Sequence, residues 1–85
     1  ELESKCIEIT KRYSIRMLGP NCLGFINTYS DLNASFSGSM AIKGNIGLAS
    51  QSGALCTAIL DWANIRGIGF STFISLGNKA DISEN

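Results

Sequence analysis

The segment Asn45–Leu76 constrains this chain more than any other. It reads as a short apolar strand, a small-residue turn, a helix and a second strand. Asn45-Ile46-Gly47-Leu48-Ala49 is the first strand and Ser50-Gln51-Ser52-Gly53 the turn. The helix runs from Ala54 to about Arg66, with Leu55, Ile59, Leu60 and Ala63 expected on its buried face and Gly67 as its left-handed stop. Phe70-Ser71-Thr72-Phe73-Ile74-Ser75-Leu76 is rich in β-branched and aromatic residues and forms the second strand. Strand, helix and strand of these lengths build a right-handed parallel βαβ unit. The fold class is therefore α/β, an incomplete three-layer parallel-sheet arrangement.

The first half is weaker in pattern. Leu2, Cys6, Ile9 and Tyr13 recur at helical spacing, with Glu1, Glu3 and Glu8 early and Lys11 and Arg12 late, as a helix dipole prefers. A surface helix over residues 2–13, packed on a sheet, is expected. Ile15-Arg16-Met17-Leu18 is a strand candidate cut off by Gly19-Pro20, and Gly24-Phe25-Ile26-Asn27 is a second short extended piece. Residues 28–44, rich in Ser, Asn and Gly, read as a connecting segment with a little strand around Met40-Ala41-Ile42. Any domain boundary falls near Lys43-Gly44.

Composition removes several function classes. Seven basic and seven acidic residues cancel, so no basic field exists to hold nucleic acid or an anionic membrane. No apolar run reaches membrane-spanning length. The chain has no histidine, so neither a Ser-His-Asp nor a Cys-His constellation is complete within it, and no imidazole metal ligand exists. Cys6, Cys22 and Cys56 are odd in number and widely spaced, which fits free thiols in a reducing cytoplasm better than disulfides or zinc. Asn33-Ala34-Ser35 matches a glycosylation sequon, without meaning unless the chain is secreted. Charged residues make up only 16%, against roughly 25% in an ordinary domain. Together with a start at Glu1 and an end on Asp81-Ile82-Ser83-Glu84-Asn85, this leads us to expect a fragment that relies on other chain for cover.

Three loops could carry chemistry. Ser50-Gln51-Ser52-Gly53-Ala54 joins a strand to a helix. The first helical N–H groups lack intrahelical partners, the dipole adds positive charge there, and small residues let an oxyanion approach. Ser50, Ser52, Gly53 and Ala54 are thus phosphate-binding candidates, their amides expected to face one point outside the sheet. On spacing alone the simpler account is that Ser52 is an N-cap and Gly53 packs helix to strand. Ser52 as a nucleophile at a strand-to-helix elbow lacks the preceding glycine and a histidine base. Gly19-Pro20-Asn21-Cys22-Leu23-Gly24 is a tight loop that reads as structural by itself. Gly77-Asn78-Lys79-Ala80-Asp81 lies at another carboxyl strand end, where Lys79 could meet an anion and Asp81 could cap a following helix.

Taken together, these loops resemble a known family. Arg16-Met17-Leu18-Gly19-Pro20-Asn21-Cys22-Leu23-Gly24 resembles the loop closing the CoA-binding domain of nucleoside-diphosphate-forming acyl-CoA synthetases, the group that holds the succinyl-CoA synthetase α-subunit and ADP-forming acetyl-CoA synthetases. Gly44-Asn45-Ile46-Gly47-Leu48-Ala49-Ser50-Gln51-Ser52-Gly53-Ala54-Leu55 resembles the opening of the flavodoxin-like ligase domain that follows. Asp61-Trp62-Ala63, Gly67-Ile68-Gly69-Phe70 and Ser75-Leu76-Gly77-Asn78-Lys79-Ala80-Asp81 look more like the acetyl-CoA synthetase and protein-acetyltransferase branch.

The resemblance implies that residues 1–27 end a Rossmann-like CoA-binding domain, 28–44 connect, and 45–85 open a flavodoxin-like domain. It implies an acid–thiol ligase in which acid, CoA and a nucleoside triphosphate give acyl-CoA, nucleoside diphosphate and phosphate through an acyl phosphate and a phosphohistidine. Ser52 and Gly53 match the start of a helix that receives the phosphohistidine. Pro20, Asn21 and Cys22 match a loop near the CoA thiol end. No catalytic residue, metal or tightly bound cofactor is expected in this chain. The phosphorylated histidine and an ATP-grasp part with its Mg2+ belong to the remainder of a cytoplasmic, oligomeric synthetase. The alternative is a ligase-like regulatory module of a protein lysine acetyltransferase that has lost the chemistry.

Overall fold

The computed structural model describes residues 2–83; Glu1, Glu84 and Asn85, read above as part of the charge pattern and the unfinished end, lie outside the described residues. The chain runs α1 (Leu2–Arg12), β1 (Gly24–Asn27), a single 3-10 turn (Thr28–Ser30), β2 (Leu32–Ser35), β3 (Lys43–Ser50), α2 (Gly53–Arg66) and β4 (Phe70–Ser75). One sheet holds all four strands in the order β2-β1-β4-β3. The pair β3 and β4 is parallel and is bridged by α2, the expected βαβ unit. Strand β1 pairs antiparallel with both β2 and β4, which extends that unit into a mixed sheet. The β1–β4 ladder spans the expected connecting segment, so residues on both sides of 28–44 share one sheet.

The core follows from register. Leu48 of β3 lies beside Phe73 of β4, and Phe73 beside Ile26 of β1. This apolar row packs with Cys56, Leu60 and Ala63 of α2 and with Ala41 and Phe70. The Phe70 and Phe73 rings meet edge to face at 5.3 Å. Cys56, Leu60 and Ala63 fall on one side of a helix at 100° per residue. Leu55, expected among them, turns to the other side with Trp62 and Ile65 and is half exposed. Periodicity could not separate the two sides because α2 is apolar on both. Ser52 caps its start, accepting Leu55 N–H at 3.1 Å, and Gly67 in the left-handed conformation (φ 72°) ends it, with Ile68 N–H reaching Ala63 O at 2.9 Å.

The first half departs more from expectation. Helix α1 forms where the pattern placed it, but buries no residue: Leu2, Ile9 and Tyr13 of its apolar stripe are exposed, because no described element lies against them. Ile15–Leu18 is not a strand. Met17 is held instead by the loop after β4, its carbonyl accepting Ile82 N–H and its N–H donating to the Asp81 carboxylate, and not by a sheet edge. The Met40–Ile42 strand is absent too; Ile42 O accepts from Phe70 N–H at 2.7 Å immediately before β3 begins. Instead a hairpin forms earlier. Asn27 Oδ1 accepts the Tyr29 and Ser30 amides, Asp31 takes a left-handed conformation (φ 52°), and the chain reverses into polar β2.

Candidate functional site

Two of the three suspected loops meet in one open groove of about 480 Å³. Asn21, Cys22, Leu23 and Phe36 line one wall, and Gln51, Ser52, Gly53, Ala54 and Thr57 the other. The walls come together because β3 and β4 are parallel neighbours. Helix α2 starts where β3 ends, and the 19–23 loop lies across the end of β4.

Hydrogen bonding decides which groups at the α2 start remain available. The Ser50 hydroxyl accepts the Ser52 amide at 3.2 Å, and the Ser52 hydroxyl accepts the Leu55 amide at 3.1 Å. The Cys56 amide goes to Ser52 O at 3.1 Å. The Gly53 and Ala54 amides have no hydrogen-bond partner among the described residues. The N-cap account of Ser52 is therefore correct, and it leaves two adjacent donors open at the positive end of a helix of 14 residues. The expectation that all amides from Ser50 to Ala54 face one point is too broad. Ser50 does not line the groove; its hydroxyl is occupied in holding the turn.

Gly53 is not needed to make room. A Cβ there would sit 3.7 Å from Leu23 Cβ and N and 3.9 Å from Ser75 Oγ, ordinary contact distances. Packing helix to strand therefore does not by itself require the glycine. No lysine or arginine lines the groove, so any attraction for an oxyanion comes from backbone N–H groups and the helix dipole.

The opposite wall is held from behind. Fully buried Ser75 accepts the Leu23 amide at 3.0 Å. The Cys22 thiol donates to Leu18 O at 3.8 Å. Asn21 is exposed in a left-handed conformation (φ 56°), and Pro20 follows a cis peptide bond. Pro20 itself is not a lining residue; its carbonyl accepts Asn78 N–H at 2.8 Å. Cys56 is buried in the core, where burial pushes its thiol up and the Ser50 and Ser75 hydroxyls pull it partly back.

The third loop is used differently. No helix follows Asp81 among the described residues, so it caps none. Its carboxylate binds Arg16 through two hydrogen bonds, 3.0 and 3.2 Å, and accepts Met17 N–H at 2.9 Å. The hydrogen bonds from Arg16 and then from Met17 hold the Asp81 carboxyl below its ordinary range. No three metal-ligating side chains cluster among the described residues.

Residue patterns missed Leu23, Phe36, Gln51 and Thr57 as lining residues, and Ser75 as their support. Gln51 and Thr57 carried a readable signal, since they flank the cap and lie one turn into the helix. Phe36, left 89% exposed, lies in the region read only as a connection.

The chain spans about an eighth of the length of the curated relatives it matches. It is 55% identical over its whole length to 12% of an ADP-forming acetate–CoA ligase of Methanocaldococcus jannaschii, and 47% identical to 12% of ADP-forming acetate–CoA ligase I of Archaeoglobus fulgidus. Among solved structures, a dinucleotide-forming acetyl-coenzyme A synthetase 1 of Ca. Korarchaeum cryptofilum, in complex with phosphate and ADP, superposes with a TM-score of 0.90 at 37% identity; the match covers 98% of this chain and 18% of that one. A protein of Pyrococcus horikoshii matches at TM-score 0.91 and 48% identity, over 96% of this chain and 19% of the other. Residues 43–85, the βαβ unit with the loop that follows, fit the family model for the succinyl-CoA ligase like flavodoxin domain, and the chain belongs to that family.

Proposed function

We propose that this chain is part of an acid–CoA ligase of the ADP-forming kind and supplies the seat for a phosphoryl oxygen at the start of α2. The observation that carries the reading is the pairing of two open amides, Gly53 and Ala54, with Asn21 and Cys22 across one groove. On this reading, Gly53 and Ala54 N–H groups donate to the phosphate, and Ser52 holds the helix start that aims them. Asn21 and Cys22 flank the thiol end of CoA. A second trough of about 410 Å³ continues the groove past Cys22, Leu23 and Phe36 to Leu18, Phe25 and Ala34. Its apolar walls suit the carbon chain of a ligand whose charged end lies at Gly53.

The domain assignment belongs to the same proposal: 1–27 close a CoA-binding domain, 28–44 connect, and 45–85 open the ligase domain. So do the other parts. On this reading phosphate transfer uses a histidine of the intact protein outside this chain, which has none. The ATP or ADP with its Mg2+, an ATP-grasp domain or subunit, oligomer formation and a cytoplasmic setting all belong to that protein as a whole. No described helix is long and apolar enough to cross a membrane.

Hydrogen exchange on the intact protein, read by mass spectrometry with and without inorganic phosphate, tests the reading. Phosphate is expected to slow exchange in the peptide covering 51–56. Protection confined to other segments sinks it and favours a module that keeps the fold without the chemistry. Formation of acyl-CoA from acid, CoA and ATP tests the activity separately.

A further inference from the structure

The loop after β4 grips the CoA-side wall with unusual regularity. Asn78 N–H binds Pro20 O at 2.8 Å, Ala80 N–H binds Gly19 O at 2.9 Å, and Ile82 N–H binds Met17 O at 3.2 Å. Every second amide of 78–82 thus reaches a carbonyl of 17–20, running antiparallel. In the opposite direction, Met17 N–H reaches only a side chain, the Asp81 carboxylate. The same carboxylate takes both Arg16 donors from the adjoining residue. Gly77 lets the two stretches lie this close: a Cβ there would fall 2.3 Å from Pro20 O and 2.7 Å from Asn21 O.

We infer that Asp81 is a positioning residue for the groove, closing a backbone clamp that sets where Asn21 and Cys22 stand relative to Gly53. The inference rests on the functional reading above. Asp81 is not a lining residue and touches no ligand there. It acts through Met17 and Arg16 on the loop that forms the wall. The charged groups around its cavity are Arg16 and Lys11, both cationic, so its carboxylate faces no competing acid among the lining residues.

Asp81→Ala removes the acceptor, whereas Asp81→Asn keeps an oxygen for Met17 N–H and loses the charge that holds Arg16. In the intact protein, exchange in the peptide covering 17–22 is expected to quicken on the order of tenfold in Asp81→Ala, with Asp81→Asn between it and the parent. Affinity for CoA, measured by calorimetry, should fall on the order of tenfold in Asp81→Ala. Asp81→Asn should restore part of it, and phosphate protection of 51–56 should persist in both. Unchanged exchange at 17–22, or parental CoA affinity in Asp81→Ala, overturns the positioning role. If Asp81→Ala does not fold, parental values of both measurements in Asp81→Asn overturn it equally. A parent protein that binds no CoA overturns the functional reading itself, and the positioning role with it.

Discussion

Strands β3 and β4 are parallel neighbours, and their carboxyl ends carry two loops where an anion could be met. The structure uses them in opposite ways. After β3 the chain turns into α2, and Ser50 and Ser52 satisfy the turn while the Gly53 and Ala54 amides remain open. After β4 the amides of Asn78, Lys79 and Ala80 are all consumed, on Pro20, Leu76 and Gly19. A strand end in an open α/β sheet marks where a ligand can bind. Whether it does is decided by which N–H groups the fold has already used. One loop is a surface offered outward and the other is a fastening turned inward.

A substitution at Gly77 should break that contrast most sharply. Gly77 has φ 61° and no room for a methyl group against Pro20 O. Gly77→Ala is expected to lower stability by about 1–3 kcal/mol, as overpacking does, and to displace the 19–22 wall; chemical denaturation together with exchange at 17–22 reads both effects. Ser52→Ala removes the cap and should lose about 1 kcal/mol, with Ser52→Gly losing only a few tenths, in the same unfolding measurement. Gly53→Ala meets only ordinary contacts and should stay within about 0.5 kcal/mol of the parent in that measurement, the range of unstrained surface changes. A large loss there would mean that the helix start is a packing device after all.

The smallest effect concerns pH. Arg16 and Met17 hold the Asp81 carboxyl below its ordinary value of 3.8. A depressed carboxyl contributes stability that is complete above the unfolded value and disappears as pH falls through the folded one. The pair is exposed, so salt and solvent reduce its worth. The clamp should therefore be intact from neutral pH down to about pH 4 and loosen below it. Pulse labelling of 17–22 across this acid range, with Asp81→Asn as the flat control, checks the sign.

How much could be read beforehand follows the same division. The βαβ unit was legible because its signals agree: apolar strands, a serine cap at Ser52, a glycine stop at Gly67. The phosphate candidates Gly53 and Ala54 were legible from the rule for helix starts. The fate of Ser50 was not, since nothing in local spacing says that its hydroxyl folds back on the Ser52 amide. The hairpin of β1 and β2 was hidden because Leu32-Asn33-Ala34-Ser35 is short and mostly polar, and becomes a strand only through its pairing with β1. Ile15–Leu18 misled in the other direction. Its apolar residues suit a strand, but the partner that holds it lies more than sixty positions away in an irregular loop. Contacts of that separation leave no mark on sequence periodicity.

Ser75 has a consequence of its own. Because its buried hydroxyl holds Leu23 while β4 itself is laddered to β3, both jaws of the groove are mounted on a single beam. The spacing of adjacent strands, about 4.8 Å, fixes the two mounting points, and the loops they carry complete the walls. A ligand of the proposed kind would find the aperture already made. On the proposed reading, little of its binding energy would go into ordering the backbone.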